Sequence, residues 1–137
     1  MEAPIMRETS GIQPQGEQPT VLVVDDEPAI VALVRTMLWR AGFTVLEATS
    51  PEEALRIAGS AAVDVLLSDV MMPGMNGYEL AAKVRSERPA VKVLFMSGYR
   101  DRAIAESTGV TVDDASLVRK PFTQHTLVSR IGELLGN

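Results

Sequence analysis

Five polar residues stand at the ends of short apolar runs, and their types suit metal and phosphate chemistry. Asp25 and Asp26 follow the first run, and later runs close on Asp69, Ser97 and Lys120. If these runs are parallel strands, their carboxyl ends meet at one edge of the sheet, where open α/β sheets bind ligands. The sequence therefore predicts that three carboxylates, a hydroxyl and an ammonium group converge on one site.

This predicted site is suited to phosphoryl transfer with a divalent cation. Clustered carboxylates repel each other, and Mg²⁺ relieves the repulsion because it prefers oxygen ligands. An ammonium and a hydroxyl beside it suit the charge on a transferring phosphoryl group. Asp69 is the candidate carboxylate nucleophile. An Asp-Asp pair after a strand is commonly just a turn or a helix cap, and Asp69, Lys120 or Ser97 alone is weaker evidence still, so the prediction rests on the joint pattern.

The elements that must position these residues alternate along the chain. Five apolar runs are predicted as strands, at residues 20–24, 43–48, 63–69, 91–97 and 116–120. Helical patterns separate them, and strands that are apolar throughout are typically buried on both faces. The alternation predicts an α/β fold with a doubly wound, five-stranded parallel sheet and helices on both faces.

Local signals predict where the helices begin and end. Pro28 suits a first helical residue, Gly42 suits a helix end, and Ser50 opens a capping-box pattern.

The apolar faces of the helices predict which residues are buried. Trp39 lies beside the apolar stripe of the first helix and is expected to be partly exposed. Within residues 99–115 few apolar residues recur at helical spacing, which predicts a short, weak fourth helix of low stability. The predicted core stripe of the first helix is Ile30, Leu33, Val34, Met37, Leu38 and Ala41.

Length and composition exclude several classes of protein. The chain of 137 residues is expected to form a flexible N-terminal tail or linker (1–19) and one globular domain (20–137). Its net charge of −5 argues against direct nucleic-acid binding, and it has no cysteine for disulfides or thiolate chemistry. No apolar run approaches the roughly 18 residues of a membrane helix, and the N-terminus lacks signal-peptide features. These features predict a cytoplasmic protein without membrane contact.

The motifs resemble the response-regulator receiver domains of two-component signalling. The resemblance covers residues 20–136 and rests on four motifs in the family's order, VLVVDDEP, LLSDVMMPGMNGYEL, VLFMSGY and VRKPF. It implies a flavodoxin-like sheet of order 2-1-3-4-5. It also implies a phosphoacceptor that assists its own phosphorylation and dephosphorylation, not an enzyme with a separate substrate. The implied partner is a histidine kinase or a histidine phosphotransfer protein, and a homodimer remains open.

The resemblance also implies a role for each site residue. Asp69 would accept the phosphoryl group and, with Asp26 and the Met71 backbone carbonyl, would bind Mg²⁺. Asp25 would act on the metal through a water molecule. Ser97 would donate a hydrogen bond to a phosphoryl oxygen, and Lys120 would pair with the phosphoryl group. The peptide bond between Lys120 and Pro121 would be cis, as it usually is in the family.

The chain departs from the best-known receivers at the position of the switch aromatic. That position, three residues before Lys120, holds Leu117. Phosphorylation is still expected to change a partner-binding surface built on the fourth helix, the fifth strand and the fifth helix, but without a rotamer change of an aromatic side chain at position 117. Tyr99 is the alternative aromatic residue for such a switch. The sequence Ser97-Gly98-Tyr99 with a weak fourth helix is similar to receivers of hybrid histidine kinases, which implies a phosphorelay or kinase-control role.

Three other kinds of protein share parts of this pattern. A flavodoxin-like FMN carrier needs a phosphate loop rich in hydroxyls and glycine, whereas the loop here begins with three acids. A phosphatase of the haloacid-dehalogenase type has its nucleophile on the first strand in a DxD motif, which DDE does not match. A receiver fold that binds partners without phosphorylation is the remaining alternative, and the complete set of site residues argues against it.

Overall fold

The computed structural model describes residues 18–98 and 116–136. The expectations for the tail before residue 18 and for a weak helix within 99–115 lie outside these ranges. No helix in the described ranges has the length and apolar character needed to cross a bilayer. The described elements are, in chain order, β1 (Thr20–Val24), α1 (Pro28–Arg40), β2 (Thr44–Ala48), α2 (Pro51–Ser60), β3 (Val65–Asp69), α3 (Gly77–Glu87), β4 (Lys92–Ser97), β5 (Leu117–Arg119) and α4 (Gln124–Leu134).

The five strands form one parallel sheet in the order β2-β1-β3-β4-β5. This confirms the predicted α/β class and the 2-1-3-4-5 order. Val24 lies opposite Ser68, and Asp69 lies opposite Met96, so the central strands end at nearly the same level. Every residue of β3 is buried because the strand has neighbours on both sides and helices over both faces.

Two apolar cores flank the sheet. On one face, α2 and α3 pack against the strands through Ala54, Ala58, Leu80, Ala81 and Val84. On the other face, α1 and α4 pack through Val31, Val34, Leu38, Leu127 and Ile131. Each fully buried valine, leucine or isoleucine side chain contributes about 1.5–3 kcal/mol, so these two layers hold the sheet that carries the site.

The residues predicted to begin or end helices lie at helix ends in the structure. Pro28 is the first residue of α1, and Gly42 ends the helix with a φ of 96°, a conformation that glycine adopts without strain. The Ser50 hydroxyl accepts the backbone N–H of Glu53 at 3.1 Å and caps α2. Thr123 caps α4 in the same way. These short-range signals set the helix boundaries within one or two residues of the prediction.

The predicted core stripe of α1 was wrong at two positions. Leu33 is 53% exposed and Ala41 is also exposed, whereas Val31, which the stripe did not include, is buried. The helix contacts the sheet through Val31, Val34 and Leu38. Leu33 precedes Val34 and therefore lies about 100° around the helix from this buried line. Trp39 is 67% exposed, as predicted.

Candidate phosphoryl-transfer site

The three predicted carboxylates meet at the carboxyl edge of the sheet. Asp25 and Asp26 follow β1, Asp69 ends β3, and these two strands are neighbours. One oxygen from each carboxylate lies within 4.8 Å of those of the other two. Asp25 is fully buried and Asp69 is 6% exposed, whereas Asp26 is exposed. The cluster therefore has a deep, sheltered side and a side open to an incoming group.

Lys120 brings a positive charge into this cluster from the end of β5. Its Nζ donates to Asp25 Oδ2 and to Asp69 Oδ1, each at 3.1 Å. The backbone N–H of Lys120 donates to the Ser97 carbonyl at 2.9 Å, which anchors the residue beside β4. Because β4 separates β5 from β3 in the sheet, a long side chain is needed to reach the carboxylates.

Opposing effects act on the pKa of Lys120. Burial disfavours the ammonium and lowers the pKa, but the charges of Asp69 and Asp25, together with their hydrogen bonds, raise it more. The net result is a pKa above the ordinary value for lysine. Lys120 is therefore a fixed cation at neutral pH, and it partly neutralises the two buried carboxylates.

The two adjacent aspartates differ in how many partners their oxygens already have. Asp25 Oδ1 accepts the backbone N–H of Glu27 at 2.9 Å, and Oδ2 accepts from Lys120. Both oxygens of Asp25 are thus engaged within the protein, while Asp26 faces solvent. The donor set of carboxylate oxygens fits a hard divalent cation such as Mg²⁺, and exposed Asp26 is more accessible to such a cation than buried Asp25.

Ser97 and Met71 lie at the same edge of the sheet. Ser97 ends β4 and is buried, and its hydroxyl donates to the Gly98 carbonyl at 3.2 Å. Met71 follows Asp69 by two residues in the loop after β3, and its side chain is exposed. The peptide bond between Lys120 and Pro121 is cis, as the family resemblance implied. The individual roles assigned to these residues remain predictions.

Two residues that were not predicted from the sequence, Ser68 and Gly77, contact the main chain of Asp69. The Ser68 hydroxyl donates to the Asp69 carbonyl at 2.9 Å, and Gly77, the first residue of α3, packs against the same carbonyl. A serine inside an otherwise apolar strand was the available signal for Ser68. Nothing in the local sequence marks the close approach of Gly77.

Comparison with known proteins identifies the family. Residues 21–132 match the model of the response regulator receiver domain. The chain is 35% identical over 120 residues to the probable transcriptional regulatory protein TcrX of Mycobacterium tuberculosis, covering 88% of this chain and 51% of that protein. It is 39% identical over 119 residues to the sensor kinase CckA of Brucella abortus, covering 85% of this chain and 12% of that protein. The chain thus spans about half, or less, of the length of these relatives.

A solved structure shows the same likeness in three dimensions. The crystal structure of the receiver domain from the hybrid histidine kinase CckA superimposes with a TM-score of 0.67 at 35% sequence identity. The match covers 85% of this chain and 98% of that one. Sequence, sheet order and the acidic edge agree: the chain belongs to the response-regulator receiver domain family of two-component signalling.

Proposed function

We propose that the chain accepts a phosphoryl group on the Asp69 carboxylate from a phosphohistidine of a histidine kinase or histidine phosphotransfer protein. The observation that carries this proposal is the position of Asp69. It ends the central strand, nearly buried, with its Oδ1 3.1 Å from Lys120 Nζ and its carboxylate clustered with Asp25 and Asp26. A carboxylate nucleophile at such a place has both a cation and further oxygen ligands beside it.

The proposed transfer uses the residues of this edge in distinct roles. An Asp69 oxygen bonds to phosphorus while the P–N bond of the phosphohistidine breaks, and the histidine nitrogen keeps the electron pair. Lys120 and the Ser97 hydroxyl stabilise the negative phosphoryl oxygens. Bound Mg²⁺, with Asp26, Asp69 and the Met71 carbonyl as ligands and Asp25 acting through water, would supply further charge neutralisation.

The proposed output is a change in the surface of β5 and α4. An aspartyl phosphate carries about 1.5–2 negative charges where the free Asp69 carboxylate carried one, and Lys120 connects Asp69 to β5. The similarity to a sensor kinase and to transcriptional regulators supports a signalling role for the chain. Of these contexts, we favour a phosphorelay or kinase-control role.

Phosphoryl uptake from acetyl phosphate tests the proposal. Wild-type protein incubated with acetyl phosphate and Mg²⁺ should gain the mass of one phosphoryl group, whereas Asp69→Asn should gain none. The matched control is Asp64→Asn, because Asp64 precedes the opposite end of the same strand and is exposed. Equal labelling of Asp69→Asn on another residue would contradict the assignment. Partner binding by a chain that takes up no phosphoryl group would favour the phosphorylation-independent interaction module instead.

A further inference from the structure

Ser68 is a polar residue inside the most buried strand of the sheet. It is fully buried and occupies the same face of β3 as Leu66 and Val70, which belong to the apolar core beneath α2 and α3. Burying a hydroxyl without a hydrogen bond costs about 1–3 kcal/mol. Ser68 avoids this cost because its Oγ donates to the Asp69 carbonyl at 2.9 Å.

The acceptor of this bond lies where the regular pairing of β3 with β1 ends. The N–H of Val70 donates to the Met96 carbonyl in β4 at 3.2 Å. In a trans peptide the Asp69 carbonyl points the opposite way, toward the side of β1. Pairing with β1 ends at Val24 opposite Ser68, so the hydroxyl provides a donor just beyond the end of that ladder.

The start of α3 holds the same peptide from a second direction. The N–H of Gly77 donates to the Val70 carbonyl at 2.8 Å. A Cβ atom at Gly77 would overlap the Asp69 carbonyl oxygen and would lie 3.2 Å from Ser68 Oγ. Any side chain at this position would therefore displace backbone, because the nearest atom belongs to the main chain of Asp69.

We propose that Ser68 is a positioning residue for the Asp69 carboxylate, acting by holding the Asp69 main chain against α3. This inference rests on the proposed function and adds a residue to it. The carboxylate extends from a backbone whose carbonyl is held by Ser68 and enclosed by Gly77, and it must meet Lys120 and the other carboxylates at the same time. Small displacements of a reacting group reduce rates strongly, so holding this peptide bond in place favours phosphoryl transfer.

The test compares variants that separate hydrogen bonding from general stability. Ser68→Ala removes the donor with little change in volume, and Ser68→Thr keeps a hydroxyl. Leu66→Val is the matched control, because it lowers stability on the same face of the same strand, two residues from Ser68. Two quantities are measured on the full chain: the rate of phosphoryl uptake from acetyl phosphate with Mg²⁺, and the Mg²⁺ dissociation constant by NMR titration.

We expect Ser68→Ala to slow phosphoryl uptake about threefold to tenfold, the effect of losing one hydrogen bond that holds a reacting group. Its Mg²⁺ affinity should fall as well, while Ser68→Thr and Leu66→Val should stay close to wild type in both measurements. Wild-type behaviour of Ser68→Ala in both measurements would overturn the inference, as would equal losses in Ser68→Ala and Leu66→Val.

The Mg²⁺ titration separates this inference from the proposed function. If the wild-type chain binds Mg²⁺ but takes up no phosphoryl group, the phosphoacceptor proposal fails. The order of Mg²⁺ affinities among the variants then still decides whether Ser68 positions Asp69. A wild-type chain that binds no Mg²⁺ and takes up no phosphoryl group would overturn both proposals.

Discussion

Lys120 connects the last strand to the two buried carboxylates of the site. Its ammonium is 3.1 Å from both Asp25 and Asp69, residues that come from two different strand ends. Charge-assisted hydrogen bonds of this kind are stronger than those between neutral groups, and Asp25 is fully buried. Loss of the ammonium would leave like charges facing each other at the carboxyl edge.

The raised pKa of Lys120 predicts a pH-dependent contribution to stability. Without Mg²⁺, Lys120→Met should lower the free energy of unfolding by about 2 kcal/mol at neutral pH. Because the pKa is higher in the folded protein, the contribution is complete below the unfolded pKa of about 10.4 and is lost as pH rises through the folded value. Urea unfolding of both proteins in the presence of a chelator measures the difference.

The exposed lysine Lys83 offers the control for this experiment. Lys83→Met on the solvent side of α3 should change stability little and without this pH dependence. A difference between wild type and Lys120→Met that stays constant as pH rises above about 10.4 would contradict the role assigned to the ammonium.

The different surroundings of the two adjacent aspartates predict different effects on Mg²⁺ binding. Asp26→Asn should weaken Mg²⁺ binding more than Asp25→Asn, because Asp26 is exposed to an incoming cation whereas both oxygens of Asp25 already accept hydrogen bonds. Removal of a direct ligand costs more than removal of a group that acts through water. Calorimetric titration of the two variants gives the order, and equal losses would contradict this prediction.

Among the four helices in the described part of the chain, α3 has the most complete N-terminal cap. Asn76 Oδ1 accepts the N–H of Glu79 at 2.9 Å, and the Glu79 carboxylate accepts the N–H of Asn76 at 2.9 Å. The next residue, Gly77, packs against the Asp69 carbonyl. The cap therefore determines where α3 begins above the end of β3, and so links a helix terminus to the candidate phosphorylation site.

Asn76→Ala should destabilise the protein by about 1 kcal/mol, because it removes the side-chain acceptor of the capping box. The measurement is the midpoint of urea unfolding, and Lys83→Ala on the exposed face of the same helix is the control, with an expected change near zero. A loss no larger than that of the control would show that the cap does not stabilise α3.

At the scale of the whole molecule, Lys120 connects the acidic edge of the sheet to the surface of β5 and α4. Leu117 lies opposite Phe95 in the sheet and packs on the core beneath α2 and α3. The Phe95 ring meets Tyr78 edge-to-face, with centroids 4.8 Å apart. Leu117 has no ring and no hydroxyl to exchange between buried and exposed partners, so a change at this surface has to use other groups.

Beryllofluoride with Mg²⁺ mimics the phosphoryl group and tests this coupling by backbone NMR. We expect shift changes around Asp69 and across residues 97–120, because Lys120 contacts Asp69 and its backbone N–H donates to the Ser97 carbonyl. Leu117→Ala should leave most of these changes in place, since no aromatic swing is involved. Changes confined to the immediate neighbours of Asp69, or their loss in Leu117→Ala, would rule out this mechanism.

Local sequence patterns were enough to predict the strands, the helix ends and the acidic cluster. The run at 20–24 is β1 without change, and Pro28, Gly42 and Ser50 act at the predicted helix boundaries. These signals depend on a few neighbouring residues. The acidic cluster was predictable for a topological reason: parallel strands joined by helices all end at one edge, whatever the loops between them.

Contacts that depend on how separate elements approach each other were not predictable. The exposure of Leu33 depends on the rotation of α1 about its axis over the sheet. The double contact of Lys120 joins residues 95 and 51 positions apart, and the contact of Gly77 with Asp69 depends on where α3 begins above β3. Hydrophobic periodicity indicates the approximate buried face of a helix, but it fixes neither the rotation of the helix over the sheet nor the distances between elements, and those distances determine the geometry of the site.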